Sequence, residues 1–179
     1  NYLLTALTER GASYESALAM AQECGFAEPD PRRDVDGLDA VDKLVLLTSL
    51  FGWGGLCREG LEVRGIRGLS ADDLDAARSM GGTIKPVAFA QHEAAALRAF
   101  VGPAFLPATE SLASLSGALN GIRLDGRHVS NLVFSGPGAG PAVTSPAGVR
   151  TTSCVPSTPT TVVVPPAVNR LSGTGGTRV

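Results

Sequence analysis

The chain has 179 residues, of which 44% are hydrophobic and 18% are charged, and its formal net charge is −2. This composition suits one globular domain with a real core, and the charge gives no electrostatic reason to expect a nucleic-acid or acidic-membrane partner. Three widely spaced cysteines without a C-x-x-C pair exclude a disulfide framework and a zinc site, and no apolar run is long enough to span a bilayer. We therefore expect a soluble protein of the reducing cytoplasm.

Helices dominate the prediction for the first part of the chain. The sequence opens on leucines at helical spacing, which we interpret as the inside of a helix in a truncated chain: Leu3, Leu4 and Leu7. Ser13 can cap a helix over residues 14–24, and Gly25 can stop it. After an acidic loop, Gly37 leads into another helix with one apolar face, formed by Leu38, Val41, Leu44, Val45 and Thr48.

Ser70 and Asp73 form a capping box at the start of a further predicted helix. After this helix, hydrophobic residues tend to recur at every second position, which is typical of strands. The segments typical of strands are residues 61–66, 83–90, 97–106, 118–124 and 128–134. Because helices come early and strands late, the sequence predicts an α+β fold, a mixed β-sheet with helices packed on one face.

Three details of the predicted sheet follow from single residues. Pro86 and Pro103 imply edge positions or bulges, and Asp125-Gly126 is typical of a tight hairpin between the last two strands. Helices can cover one face only, so apolar side chains on the other face need a partner. We therefore expect a homodimer through this sheet, with these residues as candidates for its interface: Val87, Phe89, Phe100 and Phe105.

The composition changes beyond Gly148. The last segment contains four prolines, seven threonines and no acid, and only "TTVVV" could form a strand. The sequence thus predicts a folded domain over residues 1–147 and a low-complexity tail over 148–179, disordered or the product of a sequence artefact such as a shifted reading frame.

The segment "EPDPRRDVDGLDAVDK", residues 28–43, gathers six acids around one lysine: Glu28, Asp30, Asp34, Asp36, Asp39 and Asp42. Asp39 and Lys43 are four residues apart on a helix, which is most simply an exposed ion pair. Pro29 and Pro31 restrict the loop, however, and rigidly held carboxylates suit an ammonium ligand, beside which a lysine could exchange a proton. A metal site is the weaker alternative, since the spacing does not match an EF-hand loop.

A second glycine-rich segment, "SGPGAGP" at residues 135–141, directly follows a predicted strand. It is neither a Walker A loop nor a Rossmann fingerprint, because the required lysine and glycine spacing are missing. It is either a flexible turn or a place where the backbone approaches a ligand closely.

Taken in order, these motifs resemble the catalytic domain of homoserine dehydrogenase over about residues 1–147. The most specific part of the resemblance is "GFAEPDPRRDVDGLDAVDKL". The other parts are "NYLLT", "GPAFLPATESLASLSGALNGIRLDG" and "FSGPGAGPAVTSPA".

The resemblance implies reversible hydride transfer between L-aspartate 4-semialdehyde and L-homoserine with NAD or NADP, on the route to threonine, methionine and isoleucine. It implies that Lys43 is the proton donor and acceptor and that Gly25 and Gly140 lie against the nicotinamide cofactor. It also implies a homodimer and a set of acids that bind the substrate: Glu28, Asp34 and Asp39.

Three departures from the family pattern leave an alternative open. The nucleotide-binding domain of the family, with its second active-site lysine, has no counterpart in the sequence. Asp42 stands next to Lys43, where the family has a basic or small residue. The tail lacks the expected amphipathic helix. The alternative is a non-catalytic remnant that binds an amino acid or only dimerises.

Overall fold

A computed structural model describes residues 1–53, 56–93, 96–126 and 130–138, together with the backbone of residues 161–163. The helices are α1 (Tyr2–Arg10), α2 (Tyr14–Glu23), α3 (Arg32–Val35), α4 (Leu38–Leu50) and α5 (Ala71–Ser79). The strands are β1 (Glu62–Val63), β2 (Gly82–Glu93), β3 (Ala96–Pro107), β4 (Leu119–Leu124), β5 (Leu132–Pro137) and β6 (Thr161–Val163), and a 3₁₀ turn spans Ser111–Ser114. None of the helices in these ranges is long and apolar enough to cross a membrane.

Local signals place the predicted helices. The Ser13 hydroxyl accepts a hydrogen bond from the Ser16 N–H, and Ser70 and Asp73 form the expected reciprocal capping box at the start of α5. The helix expected at the opening leucines is confirmed as α1. The acidic loop contains a short helix that was not predicted, α3.

The six strands form one mixed sheet in the order β1-β3-β2-β6-β4-β5. Strands β2 and β3, like β4 and β5, pair antiparallel, whereas β1 with β3 and β6 with both of its neighbours pair parallel. The predicted α+β class with a mixed sheet is therefore confirmed.

Pro86 and Pro103 lie opposite each other in the β2–β3 ladder. On the outer side of β3, the pairing with β1 covers residues 100–101. On the outer side of β2, the pairing with β6 covers residues 87–89. Neither pairing includes a proline. Each proline thus lies at a local edge, as predicted, where its missing N–H costs no ladder bond.

The core has two layers, because successive side chains of a strand point to opposite faces of the sheet. On one face α4 packs against β2 and β3 through five buried residues: Val41, Leu44, Ala88, Ala90 and Val101. On the other face the 3₁₀ turn and the residue that follows it cover the sheet through Val87, Leu106, Leu112 and Leu115.

This second layer corrects part of the argument for a dimer. Val87 is 3% exposed within the single chain, so it needs no partner subunit. Phe89 and Phe100 stack on each other with ring centroids 5.2 Å apart and remain only partly buried on this face. Phe105 is exposed, but it pairs with Ile84 and points to the α4 face, so it cannot join them in one interface.

The predicted tight hairpin at Asp125-Gly126 is wrong. The β4–β5 ladder closes at the Leu124–Leu132 pair, so the connection spans residues 125–131. The Asp125 carboxylate accepts a hydrogen bond from the Asn131 N–H at 2.8 Å and another from Arg123 at 2.7 Å. These bonds join Asp125 to Arg123 of β4 and to Asn131 just before β5, contacts that the local Asp-Gly signal does not encode.

The predicted low-complexity tail lies outside the described residues, with one exception. Residues 161–163 form β6, in the segment identified as the one possible strand of the tail, between β2 and β4. The division into a domain over 1–147 and a tail over 148–179 otherwise remains a prediction.

Candidate functional site

The site begins at the junction of α3 and α4, where Gly37 has a left-handed φ of 82°. A Cβ at Gly37 would lie 3.2 Å from a methyl group of Val101 on β3, so glycine allows α4 to begin close against the sheet. This approach turns the first helical turn inward and buries the Asp39 side chain. The N-terminal end of a helix also favours a carboxylate electrostatically.

Asp39 and Lys43 form a salt bridge with 2.7 Å between Oδ2 and Nζ. Their side chains are only 12% and 20% exposed, so the simplest sequence interpretation, a solvated surface pair, is wrong. A mostly buried pair is screened little by solvent, and each charge depends on the other. Asp39 thereby fixes where the Lys43 ammonium lies.

Asp34, on α3, is half-buried beside this pair. Burial raises the pKa of Asp34 to about 6, with further increases from the charges of Asp39 and Glu28. The Glu28 N–H donates to the Asp34 carboxylate, and this bond and the Lys43 charge act in the opposite direction. The structure therefore brings together the four side chains that the sequence predicted to form one site.

The other three acids of the segment lie in a separate set of ion pairs with arginines. Asp30 binds Arg32 at 2.6 Å, Asp36 binds Arg67 at 2.6 Å, and Asp42 binds Arg33 at 2.8 Å and also Arg58. Asp42 is adjacent to Lys43 in sequence, but its carboxylate is directed to these arginines. The six acids thus divide into three that are paired with arginine and three that lie near Lys43.

A cleft opens next to the second set, between the start of α1, the α3–α4 junction and the sheet. Asp34 and Asp39 line it, together with Asn1, Tyr2 and Phe26. The rings of Tyr2 and Phe26 are tilted against each other with centroids 4.8 Å apart. Glu28, which is exposed, and Lys43 lie near these aspartates but do not line the cleft. The cleft offers carboxylate acceptors on an otherwise largely apolar wall.

The structure describes only one of the two glycines predicted to contact a cofactor. Gly25 follows α2 with a left-handed φ of 70°, and a Cβ there would meet no atom within 4 Å. Its position is therefore open, and its contact with a cofactor remains a prediction. Gly140 lies outside the described residues, so its predicted role remains a prediction.

Sequence reasoning missed a set of buried polar residues behind the cleft. The Asn1 side-chain amide donates to the carbonyl oxygens of Leu115 and Leu119, at 3.1 and 3.0 Å. Lys85, only 5% exposed, donates to the same Leu115 oxygen at 2.6 Å, and burial lowers its pKa. These bonds hold the segment after the 3₁₀ turn against α1. Lys85 sits among apolar residues of a predicted strand, and that is the one signal that could have drawn attention to it.

Comparison with known proteins gives the family context of this geometry. The family model described as homoserine dehydrogenase matches residues 1–150. A homoserine dehydrogenase of Synechocystis sp. is 40% identical over 153 residues, which are 83% of this chain and 35% of that protein. The Bacillus subtilis homoserine dehydrogenase is 34% identical over 147 residues, 81% of this chain and 34% of that protein. The chain spans about a third of the length of these relatives.

Solved structures agree. A crystal structure of Staphylococcus aureus homoserine dehydrogenase superposes with a TM-score of 0.73 at 31% identity, over 80% of this chain and 36% of that one. A hyperthermophilic archaeal homoserine dehydrogenase mutant in complex with NADPH gives a TM-score of 0.59 at 26% identity, over 80% of this chain and 40% of that one.

Proposed function

Because this chain belongs to the homoserine dehydrogenase family, we propose that it is the substrate-binding, catalytic part of an oxidoreductase that interconverts L-homoserine and L-aspartate 4-semialdehyde. The observation that carries the proposal is the mostly buried Asp39–Lys43 pair beside the half-buried Asp34, next to a cleft that the two aspartates line. Such an enzyme would act on the route to threonine, methionine and isoleucine, in the cytoplasm. The exposed free thiols of Cys24 and Cys57 agree with a reducing compartment.

In this proposal the acids bind the ammonium group of the amino acid. An ammonium has three donors and is strongly hydrated, so several fixed acceptors must replace its water. Asp34 and Asp39 provide acceptors on the cleft wall, and the nearby Glu28 is assigned as a third carboxylate. Their shared negative charge, which raises the pKa of Asp34, would be relieved when a cation binds.

Lys43 would handle the proton of the reaction. Reduction of the aldehyde adds a hydride to the carbonyl carbon, and the oxygen must then gain a proton. A lysine ammonium can donate that proton, and the neutral amine can take it back in the oxidation direction. Asp39, bonded to Nζ at 2.7 Å, holds the ammonium in place for this exchange.

NAD or NADP would supply the hydride when bound, held mainly by a nucleotide-binding domain outside these residues. Gly25 would let the nicotinamide end approach the backbone, since the space in front of it is open. Gly140 would do the same from the glycine loop.

Grafting tests the proposal directly. The segment of the Bacillus subtilis enzyme that matches this chain would be replaced with this chain, giving a grafted enzyme with a nucleotide-binding region. We expect homoserine-dependent reduction of the nicotinamide cofactor by the grafted enzyme, and none above a no-protein control by the 179-residue chain alone. A folded graft that binds homoserine without turning it over would instead support the non-catalytic remnant.

We also propose that the chain forms a homodimer through the sheet face that carries the partly buried Phe89–Phe100 pair, which is the support for this proposal. A dimer should bury these rings more fully, because large exposed apolar patches are uncommon on monomers. Sedimentation at micromolar concentration should give twice the chain mass. A monomeric mass for a folded sample would contradict this.

A further inference from the structure

Lys85 is a buried cation that the proposed mechanism does not use. It lies on β2 and is only 5% exposed. Within the part of the chain that the structure describes, its hydrogen-bond partner is neutral, the carbonyl oxygen of Leu115 at 2.6 Å. Burial lowers the pKa of Lys85, and the charge of Glu9 opposes this effect. A buried ammonium bonded only to a neutral group costs stability, so the stability of the core does not explain this lysine.

The Leu115 carbonyl joins Lys85 to helix α1. It accepts a second hydrogen bond, from the side-chain amide of Asn1 at 3.1 Å. The same amide also donates to the carbonyl of Leu119 at 3.0 Å. The two donors use both lone pairs of the Leu115 oxygen. This oxygen is therefore bonded to β2 on one side and to α1 on the other.

The position of Lys85 on the sheet agrees with this connection. Side chains two residues apart on a strand share a face, so Lys85 is directed to the same face as Val87. That face is the one that Leu115 and the 3₁₀ turn cover. Val87 lines the cleft, whereas Lys85 is not among the described residues that line it. Lys85 thus affects the cleft only through the groups that it holds.

Asn1 is the residue through which the connection reaches the cleft. It occupies the N-cap position of α1, where an asparagine side chain usually bonds the first turn of its own helix, but it makes no such bond. Its amide is bonded to the carbonyls of Leu115 and Leu119 instead, and the residue is only 6% exposed. Asn1 and the two residues that follow it line the same cleft as the two aspartates. The bonds of Asn1 therefore fix the wall that α1 contributes to the cleft.

We propose that Lys85 is a positioning residue for substrate binding: its ammonium holds the Leu115 carbonyl, which holds Asn1 and so the α1 wall of the cleft. This inference rests on the proposed function, which places the substrate ammonium at the two aspartates of that cleft. A substrate held by the aspartates also contacts the rest of the lining, so a displaced α1 wall weakens its binding. The proton exchange at Lys43 does not involve this wall.

The test compares Lys85→Met with the unaltered grafted enzyme. Methionine has a similar length and volume but cannot donate to the carbonyl of Leu115. We expect KM for L-homoserine to rise about threefold to tenfold, the scale of one net hydrogen bond, with kcat little changed. Circular dichroism and thermal unfolding would show whether the variant is folded. Because the variant also loses a buried charge, its Tm should stay near that of the unaltered enzyme.

A double-mutant cycle tests whether Lys85 acts through Asn1. Asn1→Ala should raise KM by itself, because it removes the amide that holds the start of α1. If Lys85 acts through Asn1, the KM of the double variant should stay close to that of the more affected single variant, whereas independent effects would multiply. Lys85→Gln, whose side chain is one atom too short to hold the same oxygen, gives the same comparison if the methionine variant does not fold.

Thr48→Val is the matched control, since it also removes buried hydrogen bonds. Thr48 is 1% exposed, and its hydroxyl donates to the carbonyls of Leu44 and Val45 within α4, outside the cleft lining. This variant should lower Tm and leave KM unchanged, as expected of a purely structural residue. Homoserine turnover by the unaltered graft establishes the proposed function independently. An unchanged KM in a folded Lys85 variant, or effects of Lys85 and Asn1 on KM that multiply, would then overturn the role of Lys85 alone.

Discussion

Replacing Lys43 with alanine in the grafted enzyme is expected to lower kcat for homoserine oxidation by roughly 10²- to 10⁴-fold, the usual scale for general acid–base catalysis. KM for homoserine should change much less, because the lost interaction is one with the transferring proton. Steady-state kinetics at saturating cofactor would measure both constants, and circular dichroism would show whether the variant is folded.

Lys43→Arg distinguishes proton transfer from a purely electrostatic role. Arginine keeps the positive charge and can still bind Asp39, which lies 2.7 Å from Nζ in the unaltered protein. Its pKa is too high for it to release a proton near neutral pH. We expect kcat of Lys43→Arg to fall nearly as far as that of the alanine variant. A near-normal kcat in either variant would remove the catalytic role and leave Lys43 as the structural partner of Asp39.

Two neighbouring acids provide the contrast. Glu28→Ala should raise KM more than it lowers kcat, since the proposed partner of Glu28 is the substrate ammonium. Asp42→Asn should leave both constants near normal, although Asp42 is adjacent to Lys43, because its carboxylate binds Arg33 and Arg58. The helix face on which an acid lies, rather than its proximity to Lys43 in sequence, is thus expected to determine whether it affects KM and kcat.

The features that were predicted correctly are those encoded by neighbouring residues. Ser13 caps α2, and Ser70 with Asp73 caps α5, because a capping bond joins groups two or three residues apart. The pairing of Asp39 with Lys43 is of the same kind, since residues four apart share a helix face. In each case the chemistry and the geometry are present in one short segment.

The features that were missed depend on distant parts of the chain. Nothing near Asp36 indicates that its partner is Arg67, 31 residues later, so the division of the six acids into two sets could not be predicted. The extent of burial of the Asp39–Lys43 pair depends on how closely α4 approaches β3 at Gly37, which is a property of the packed sheet.

Asp34→Asn is expected to remove a pH dependence of substrate binding. The pKa of Asp34 is raised to about 6, chiefly by burial and then by Asp39 and Glu28, so the carboxyl is neutral below that pH and anionic above it. If it binds the substrate ammonium, KM for homoserine should fall as the pH rises through about 6. In Asp34→Asn that fall should disappear, and KM near pH 8 should rise by about tenfold, the scale of a hydrogen bond to a charged group.

The same substitution should stabilise the fold at neutral pH. The folded-state pKa of about 6 lies above the ordinary value of 3.8, so the folded chain holds the proton more tightly than the unfolded chain. The resulting stability is fully present below about pH 4 and is lost as the pH rises through about 6. Asparagine does not ionise, so the Tm of Asp34→Asn should exceed that of the unaltered protein at pH 8, and the difference should shrink towards pH 4.

Asp36→Asn is the matched control for both effects, because Asp36 lies two residues away on the same segment but binds Arg67 at 2.6 Å. It should retain the fall in KM through about pH 6, and it should gain no stability at pH 8, since it loses an ion pair. Thermal unfolding and KM would be measured for the three proteins from pH 5 to 8.5. A KM profile for Asp34→Asn that parallels that of the unaltered enzyme would show that a group other than Asp34 causes the pH dependence. A Tm difference that stays constant across that range would show that the folded chain does not raise the pKa of Asp34.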